Sequence, residues 1–210
     1  MYIASSASDH DSLADCAACP TGKAGTSTGL SACTSCPSGT YDKTPNANGH
    51  DQLEDCAVCP SGKYSTSATT LANSNGITSC SSCDAGKYLA DSSTAYAMKS
   101  LHDSVNDCLN CVQGKYSSNS ASATCTICPA GEYQESTGKS ECSNCAAGKY
   151  NPDAGADVSK HTSSGLPSCI ECPTGRYQNL QGSEACQSCP AGKKTDEVGN
   201  TALSSCTDCR

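Results

Sequence analysis

The chain has 210 residues, a formal charge of −8, 20 cysteines, and neither Phe nor Trp. Leu, Ile, Val and Met total 21 residues, which excludes an ordinary hydrophobic core. The acidic balance and a single Lys193-Lys194 pair exclude a nucleic-acid-binding surface. No run approaches the roughly 18–20 apolar residues that cross a bilayer, so no membrane insertion is expected in this segment.

Cysteine at nearly one residue in ten marks a disulfide scaffold. Cross-links restrict the unfolded chain, so little apolar burial is needed. A bridge closing a loop of ~15 residues contributes roughly 3 kcal/mol in the chain-entropy account. Disulfides persist in oxidising compartments, which places the chain outside the cytosol, secreted or at the cell surface. Met1-Tyr2-Ile3-Ala4 is not a secretory signal. Ser and Thr, 34 and 19 residues, fill the spacers and offer O-glycan sites, and no Asn-x-Ser/Thr sequon occurs.

All cysteines fall in ten Cys-x-x-Cys pairs, beginning at Cys16, Cys33, Cys56, Cys80, Cys108, Cys125, Cys142, Cys169, Cys186 and Cys206. In chain order the repeat reads as a truncated module over 1–18, then modules over 19–35, 36–58, 59–82, 83–110, 111–127, 128–144, 145–171, 172–188 and 189–208. Residues 209–210 open a further one. Each complete module begins at the second cysteine of a pair. Glycine follows three residues on (Gly22, Gly39, Gly62, Gly86, Gly114, Gly131, Gly148, Gly175, Gly192), and tyrosine usually follows two residues later. Pro-x-Gly is a turn signal, because proline fixes φ and glycine accepts φ > 0. The expected fold is a small disulfide-rich tandem repeat: an elongated rod of short β-hairpin modules with almost no helix and no conventional core. Longer modules carry polar, turn-rich insertions, where a surface loop grows at small entropic cost. Seven of the nine tyrosines occupy the one repeat position, and each ring is expected to cover a disulfide with its hydroxyl wet.

A second motif precedes three pairs: His10-Asp-Ser-Leu-Ala-Asp15, His50-Asp-Gln-Leu-Glu-Asp55 and His102-Asp-Ser-Val-Asn-Asp107. It reads as one helical turn leading into the cysteine. Leu13, Leu53 or Val105 would pack inward, with Asp11, Asp51 or Asp103 near the N-cap. The alternative is a cation site: Asp11, Asp15, Asp51, Asp55, Asp103 and Asp107 are Ca²⁺ candidates, although there are too few acidic groups per module for a tight site.

Other cysteine chemistries fit less well. The runs Cys16 to Cys36 and Cys108 to Cys128 match zinc-ribbon spacing, but the spacing drifts from module to module. No pair is followed by histidine as haem attachment requires, and no pair is singled out as a redox centre. No cofactor is expected. Two regular disulfide schemes fit the repeat. In a ladder, the second cysteine of each pair joins the first of the next. In an interlocked scheme, neighbouring pairs join first to first and second to second.

Cys59-Pro-Ser-Gly-Lys-Tyr64 and Cys172-Pro-Thr-Gly-Arg-Tyr177, each running on to a Cys-x-x-Cys, resemble the ephrin-receptor-like cysteine-rich repeat. They are also similar to the single-bridge module of tumour necrosis factor receptor ectodomains. That resemblance implies an extracellular, laddered fold and favours the bridges Cys19–Cys33, Cys36–Cys56, Cys59–Cys80, Cys83–Cys108, Cys111–Cys125, Cys128–Cys142, Cys145–Cys169, Cys172–Cys186 and Cys189–Cys206. Cys16 and Cys209 would then pair outside the segment. EGF-like modules would favour the interlocked scheme instead. Tyr2 to Cys16 aligns with Tyr41 to Cys56 with a one-residue gap, so the sequence reads as part of a longer array in which Met1 is not the biological start.

The expected function is structural: an extracellular repeat protein in a cell-surface or fibrous assembly. Its partners would be other copies or other extracellular structural proteins. The alternative is a receptor or adhesion ectodomain that binds a protein or glycan ligand through inserted loops at 42–55, 89–107 and 151–168. An enzyme is not expected, because the histidines at 10, 50, 102 and 161 lie in repeat-equivalent or inserted loops with no unique nucleophile–base set.

Overall fold

The computed structural model describes residues 2–3, 16–17, 19–25, 33–43, 52–66 and 77–209. The chain divides into two compact units. One comprises Met1–Cys83, Leu89–Leu109 and Ala121–Ala123; the other comprises Asp84–Tyr88, Asn110–Ser120 and Thr124–Arg210. Among the described residues there is no α-helix, only two-residue strands and short 3₁₀ turns.

Each module is a turn and a hairpin. The residue after the glycine donates its N–H to the carbonyl three positions back, from Lys23 to Pro20 (3.0 Å) through to Lys193 to Pro190 (3.0 Å). The nine turn glycines take φ between 76° and 84°, the left-handed value a type II turn requires at its third residue. The two residues after the glycine then pair, antiparallel, with the two residues enclosed by the next Cys-x-x-Cys. In the first unit Lys23–Ala24 pairs with Thr34–Ser35, Thr40–Tyr41 with Ala57–Val58, and Lys63–Tyr64 with Ser81–Ser82. In the second, Lys115–Tyr116 pairs with Thr126–Ile127, Glu132–Tyr133 with Ser143–Asn144, Lys149–Tyr150 with Ile170–Glu171, Arg176–Tyr177 with Gln187–Ser188, and Lys193–Lys194 with Thr207–Asp208. Tyr2 lies across from Ala17, in the same register as Tyr64 across from Ser81. The second cysteine of the pair closes each hairpin by donating its N–H to the glycine carbonyl, as Cys36 does to Gly22 (3.0 Å) and Cys172 to Gly148 (2.8 Å).

The Cys-x-x-Cys is therefore itself a strand. Two residues three apart in extended backbone carry Cβ atoms on opposite faces. One cysteine can face the bridge of its own hairpin while the other opens the next module. The structure joins Cys19 to Cys33, Cys36 to Cys56, Cys59 to Cys80, Cys83 to Cys108, Cys111 to Cys125, Cys128 to Cys142, Cys145 to Cys169, Cys172 to Cys186 and Cys189 to Cys206. The Cα–Cα separations are 5.5–5.9 Å, the ordinary disulfide span. Cystine replaces the usual core. One buried cluster in the first unit contains Ala24, Cys36, Cys56 and Ile77, with Tyr41 and Leu53 packed on it; another contains Cys83, Leu89 and Cys108, with Tyr64 packed on it. Tyr41 and Tyr64 are half-buried and pack on clusters that contain bridged cysteines.

Successive modules are stitched by backbone hydrogen bonds at fixed repeat positions. The turn glycine donates its N–H to the carbonyl of the residue after the next module's tyrosine. In the first unit Gly39 donates to Ser65 (2.8 Å) and Gly62 to Leu89 (2.9 Å). In the second, Gly86 donates to Ser117, Gly114 to Gln134, Gly131 to Asn151 and Gly148 to Gln178, at 2.7–2.9 Å. At Gly22 and Gly175 a side-chain oxygen takes the same place: Asp42 Oδ2 (2.8 Å) and Thr195 Oγ1 (2.7 Å).

Contacts also reach the module after next, which nearest-neighbour stacking does not anticipate. A Cβ on Gly39 would overlap the Lys99 carbonyl, one on Gly131 the Gly182 carbonyl, and one on Gly148 the Gly199 carbonyl. Around Gly175 a Cβ would meet nothing within 4 Å. Both positions need φ > 0, but only the first kind needs the missing side chain as well. Gly175→Ala is expected to lose about 1–2 kcal/mol, the cost of a left-handed non-glycine residue, and Gly131→Ala distinctly more. Denaturant unfolding of the two oxidised variants checks the order; equal losses would contradict the packing role.

Candidate functional site

No repeat position is more uniformly buried than the residue after the tyrosine. Asp42, Ser65, Leu89, Ser117, Gln134, Asn151, Gln178 and Thr195 are each at most 7 % exposed, and most are polar. Their backbone explains this. The carbonyl generally accepts from the preceding module's turn glycine, and the N–H donates into the following module's loop. Ser65 donates to the His102 carbonyl (2.9 Å), Gln134 to His161 (2.7 Å), Asn151 to Ser183 (3.0 Å) and Gln178 to Asn200 (2.9 Å). The side chains bond locally: the Gln134 and Gln178 amides donate to the carbonyls of Glu141 (2.8 Å) and Ala185 (2.7 Å) and accept from the N–H of Ser136 and Leu180. A buried polar side chain so satisfied escapes the roughly 1–3 kcal/mol that an unpaired one costs.

A second recurring junction caps the carbonyl of the residue after the turn glycine. Ser65 Oγ donates to Thr40 (2.9 Å). In the two long ordered insertions a histidine ring does this work. His102 Nδ1 lies 2.8 Å from the Lys63 carbonyl, and His161 Nδ1 lies 2.8 Å from the Glu132 carbonyl. Both rings are fully buried. The other ring nitrogen meets an aspartate: His102 Nε2 is 3.3 Å from Asp91 Oδ2, and His161 Nε2 is 3.2 Å from Asp153 Oδ1. Asp91 and Asp153 both stand eight residues after their module's opening cysteine. His161, which lies outside the three-histidine sequence motif, is thus the structural counterpart of His102. The shared aspartate position was the available sequence signal.

Asp153 is the more tightly held carboxylate. Its Oδ1 also accepts from the N–H of Gly155 (2.9 Å), Ala156 (2.7 Å) and Asp157 (3.2 Å). The hydrogen bond from His161, with these amides behind it, holds its carboxyl far below the usual range.

The aspartates of the sequence motif do something different. Asp55 Oδ2 accepts from the Gln52 N–H (3.0 Å), and Asp107 Oδ2 from the Ser104 N–H (2.8 Å), each closing a 3₁₀ turn ahead of a cysteine. The capping carboxylates are therefore Asp55 and Asp107, at the turn's third position, while Asp103 precedes the capping residue Ser104. Leu53 packs inward, but Val105 is 45 % exposed, so the expected inward packing fails there. Asp11, Asp15, Asp51, His10, His50 and Leu13 lie outside the described residues. Among the described residues no three His, Cys, Asp or Glu side chains are grouped to hold a metal ion. None of their helices is long and apolar enough to cross a membrane. Cys209 carries no bridge and is exposed.

The family model described as tyrosine-protein kinase ephrin type A/B receptor-like matches residues 114–161 and 160–209. No curated protein matches the chain. Peptide mapping without reduction is expected to return the nine second-to-first linkages described above; a first-to-first linkage such as Cys108 to Cys125 would contradict the laddered arrangement.

Proposed function

We propose, from the ephrin-receptor-like cysteine-rich repeats of residues 114–161 and 160–209, that the chain is an extracellular structural spacer within a cell-surface or fibrous assembly. The observation that carries this reading is the reuse of one set of groups in module after module. The turn glycine amide, and the amide and carbonyl of the buried residue after the tyrosine, all bind the adjoining module. A bridge within each module and hydrogen bonds between modules let order propagate along the chain, as in other repeat arrays. The disulfide content and the repeat family support an extracellular setting. Other copies, or other extracellular structural proteins, are the partners this reading implies. The Ser- and Thr-rich surface is suited to O-glycans. The repeat family is one of non-catalytic modules, and both described histidines are engaged in junctions rather than placed beside a substrate space.

A second reading, a receptor or adhesion ectodomain, draws on the ordered insertions. His102 and His161 fix two of them, and these loops present Met98, Leu101 and Leu166 at 44–77 % exposure. Small-angle scattering on arrays of increasing module number separates the two. The spacer reading expects the maximum dimension to grow in proportion to module number, and the arrays to self-associate. A compact monomer with no tendency to assemble, together with saturable ligand binding that is lost when 151–168 is shortened, would contradict it.

A further inference from the structure

We propose that modules 172–188 and 189–208 form a docking face for a second copy of this chain, which adds head to tail. The proposal deepens the structural reading given above and rests on it. The turn glycines from Gly22 to Gly148 are buried, whereas Gly175 is half-buried and Gly192 exposed. The difference follows from three groups that earlier modules hand to their successors. The turn glycine N–H goes to the carbonyl after the next module's tyrosine, as Gly148 donates to Gln178 (2.7 Å). The opening cysteine carbonyl accepts from a left-handed loop glycine of the next module: Cys111 from Gly138 (2.8 Å), Cys145 from Gly182 (2.9 Å) and Cys172 from Gly199 (2.8 Å). The carbonyl of that same loop glycine covers the turn glycine of the module two before its own, Gly138 over Gly86, Gly182 over Gly131 and Gly199 over Gly148.

Module 189–208 presents the same three groups without these partners. Among the described residues none accepts from the Gly192 N–H, and no loop amide reaches the Cys189 carbonyl. Around Gly175 and Gly192 a Cβ would meet nothing within 4 Å, although both turns keep the φ of the covered ones, 79° and 81°. The receiving backbone is thus already in the conformation that earlier modules use. A repeat face left uncapped associates, because it exposes what each neighbour buries elsewhere in the array.

The occupant such a face fits is a hairpin of this same repeat, and the leading residues supply one. Tyr2–Ile3 pairs with Cys16–Ala17 in the register of Lys63–Tyr64 with Ser81–Ser82. Ile3 follows its tyrosine as Ser65 and Gln134 follow theirs, and the carbonyls of those two residues accept from Gly39 and Gly114 (2.8 Å each). In the docked pair Gly192 donates to the Ile3 carbonyl of the next copy, continuing the junction already present inside the chain. Charge favours this order. The sequence before Lys23 holds Asp9, Asp11 and Asp15 and neither Lys nor Arg, whereas Arg176 and Lys193 directly follow the two uncovered turn glycines. Lys193 meets Asp208 only at 3.6 Å on the surface, so this attraction is screened and steers more than it holds. Head and tail are different surfaces, so the contact is heterologous and each added copy presents the same tail again.

Sedimentation velocity on the oxidised chain carrying Cys209→Ser, which removes the exposed thiol as a rival cross-link, tests this. The average mass is expected to rise with concentration. Gly192→Asn puts a side chain on the exposed turn, and Asn is among the residues that accept a left-handed backbone. It is expected to weaken association roughly tenfold, the scale of one lost hydrogen-bonded junction. Its leading hairpin is untouched, so a small proportion mixed into the parent caps tails and shortens the oligomers. Gly175→Asn serves if Gly192→Asn does not recover the native bridges. A parent mass independent of concentration, association undiminished in the blocked variant, or parent oligomers that the variant does not shorten would each overturn the docking face. The spacer reading is decided separately, by whether the maximum dimension grows with module number.

Discussion

The turn glycine three residues after each opening cysteine is where adjoining modules meet. Its positive φ sets the turn, its carbonyl closes the hairpin onto the next cysteine, and its N–H enters the following module. At Gly39, Gly62, Gly86, Gly131 and Gly148 the backbone of the module after next also stands where a side chain would be. Any other residue would have to accept a left-handed backbone, and at these positions it would also displace a neighbouring carbonyl. The cysteines can vary in their spacing because the loops between tyrosine and closing cysteine absorb the difference. The interval from opening cysteine to glycine does not vary in any of the nine complete modules.

Such a chain holds together without a hydrophobic core because two other contributions take its place. The bridges close loops of 14 to 25 residues and so limit the freedom of the unfolded chain. The junctions then bury polar residues with their partners supplied, and a satisfied polar group makes no large demand on apolar area. The buried Gln134, Asn151 and Gln178 are tolerated on this ground, and the two histidines extend the same solution. A ring from a long insertion reaches the carbonyl position that a serine hydroxyl reaches at Ser65. A longer loop thereby gains an anchor on the preceding module.

The hairpins were legible in the sequence because their determinants are local: Pro-x-Gly for the turn, tyrosine for the strand after it, and cysteine at each end. The tandem organisation and the scarcity of helix followed from the same repeat. Spacing alone left two disulfide schemes open, and only the likeness to a known module favoured one. The buried residue after the tyrosine was not legible. It is Asp, Ser, Leu, Gln, Asn or Thr in different modules, because its backbone rather than its side chain makes the recurring contact. His161 was obscured because it stands eight residues before Cys169, whereas His102 stands six before Cys108. The equivalence appears only once both rings are seen on the same carbonyl. Val105 and Leu53 share a motif position yet differ in burial, since Leu53 finds the cluster around Cys36 and Cys56.

Amide exchange at the turn glycines is the most direct measure of whether modules are joined as described. A tight turn at the tip of an isolated hairpin leaves its glycine N–H in water, so exchange there is fast. The described junctions predict that Gly39, Gly62, Gly86, Gly114, Gly131 and Gly148 exchange as slowly as the strand amides of their own modules. Exchange of these six at the rate of exposed turn amides, in a chain whose nine bridges are intact, would contradict the account and leave the modules as independent, tethered hairpins.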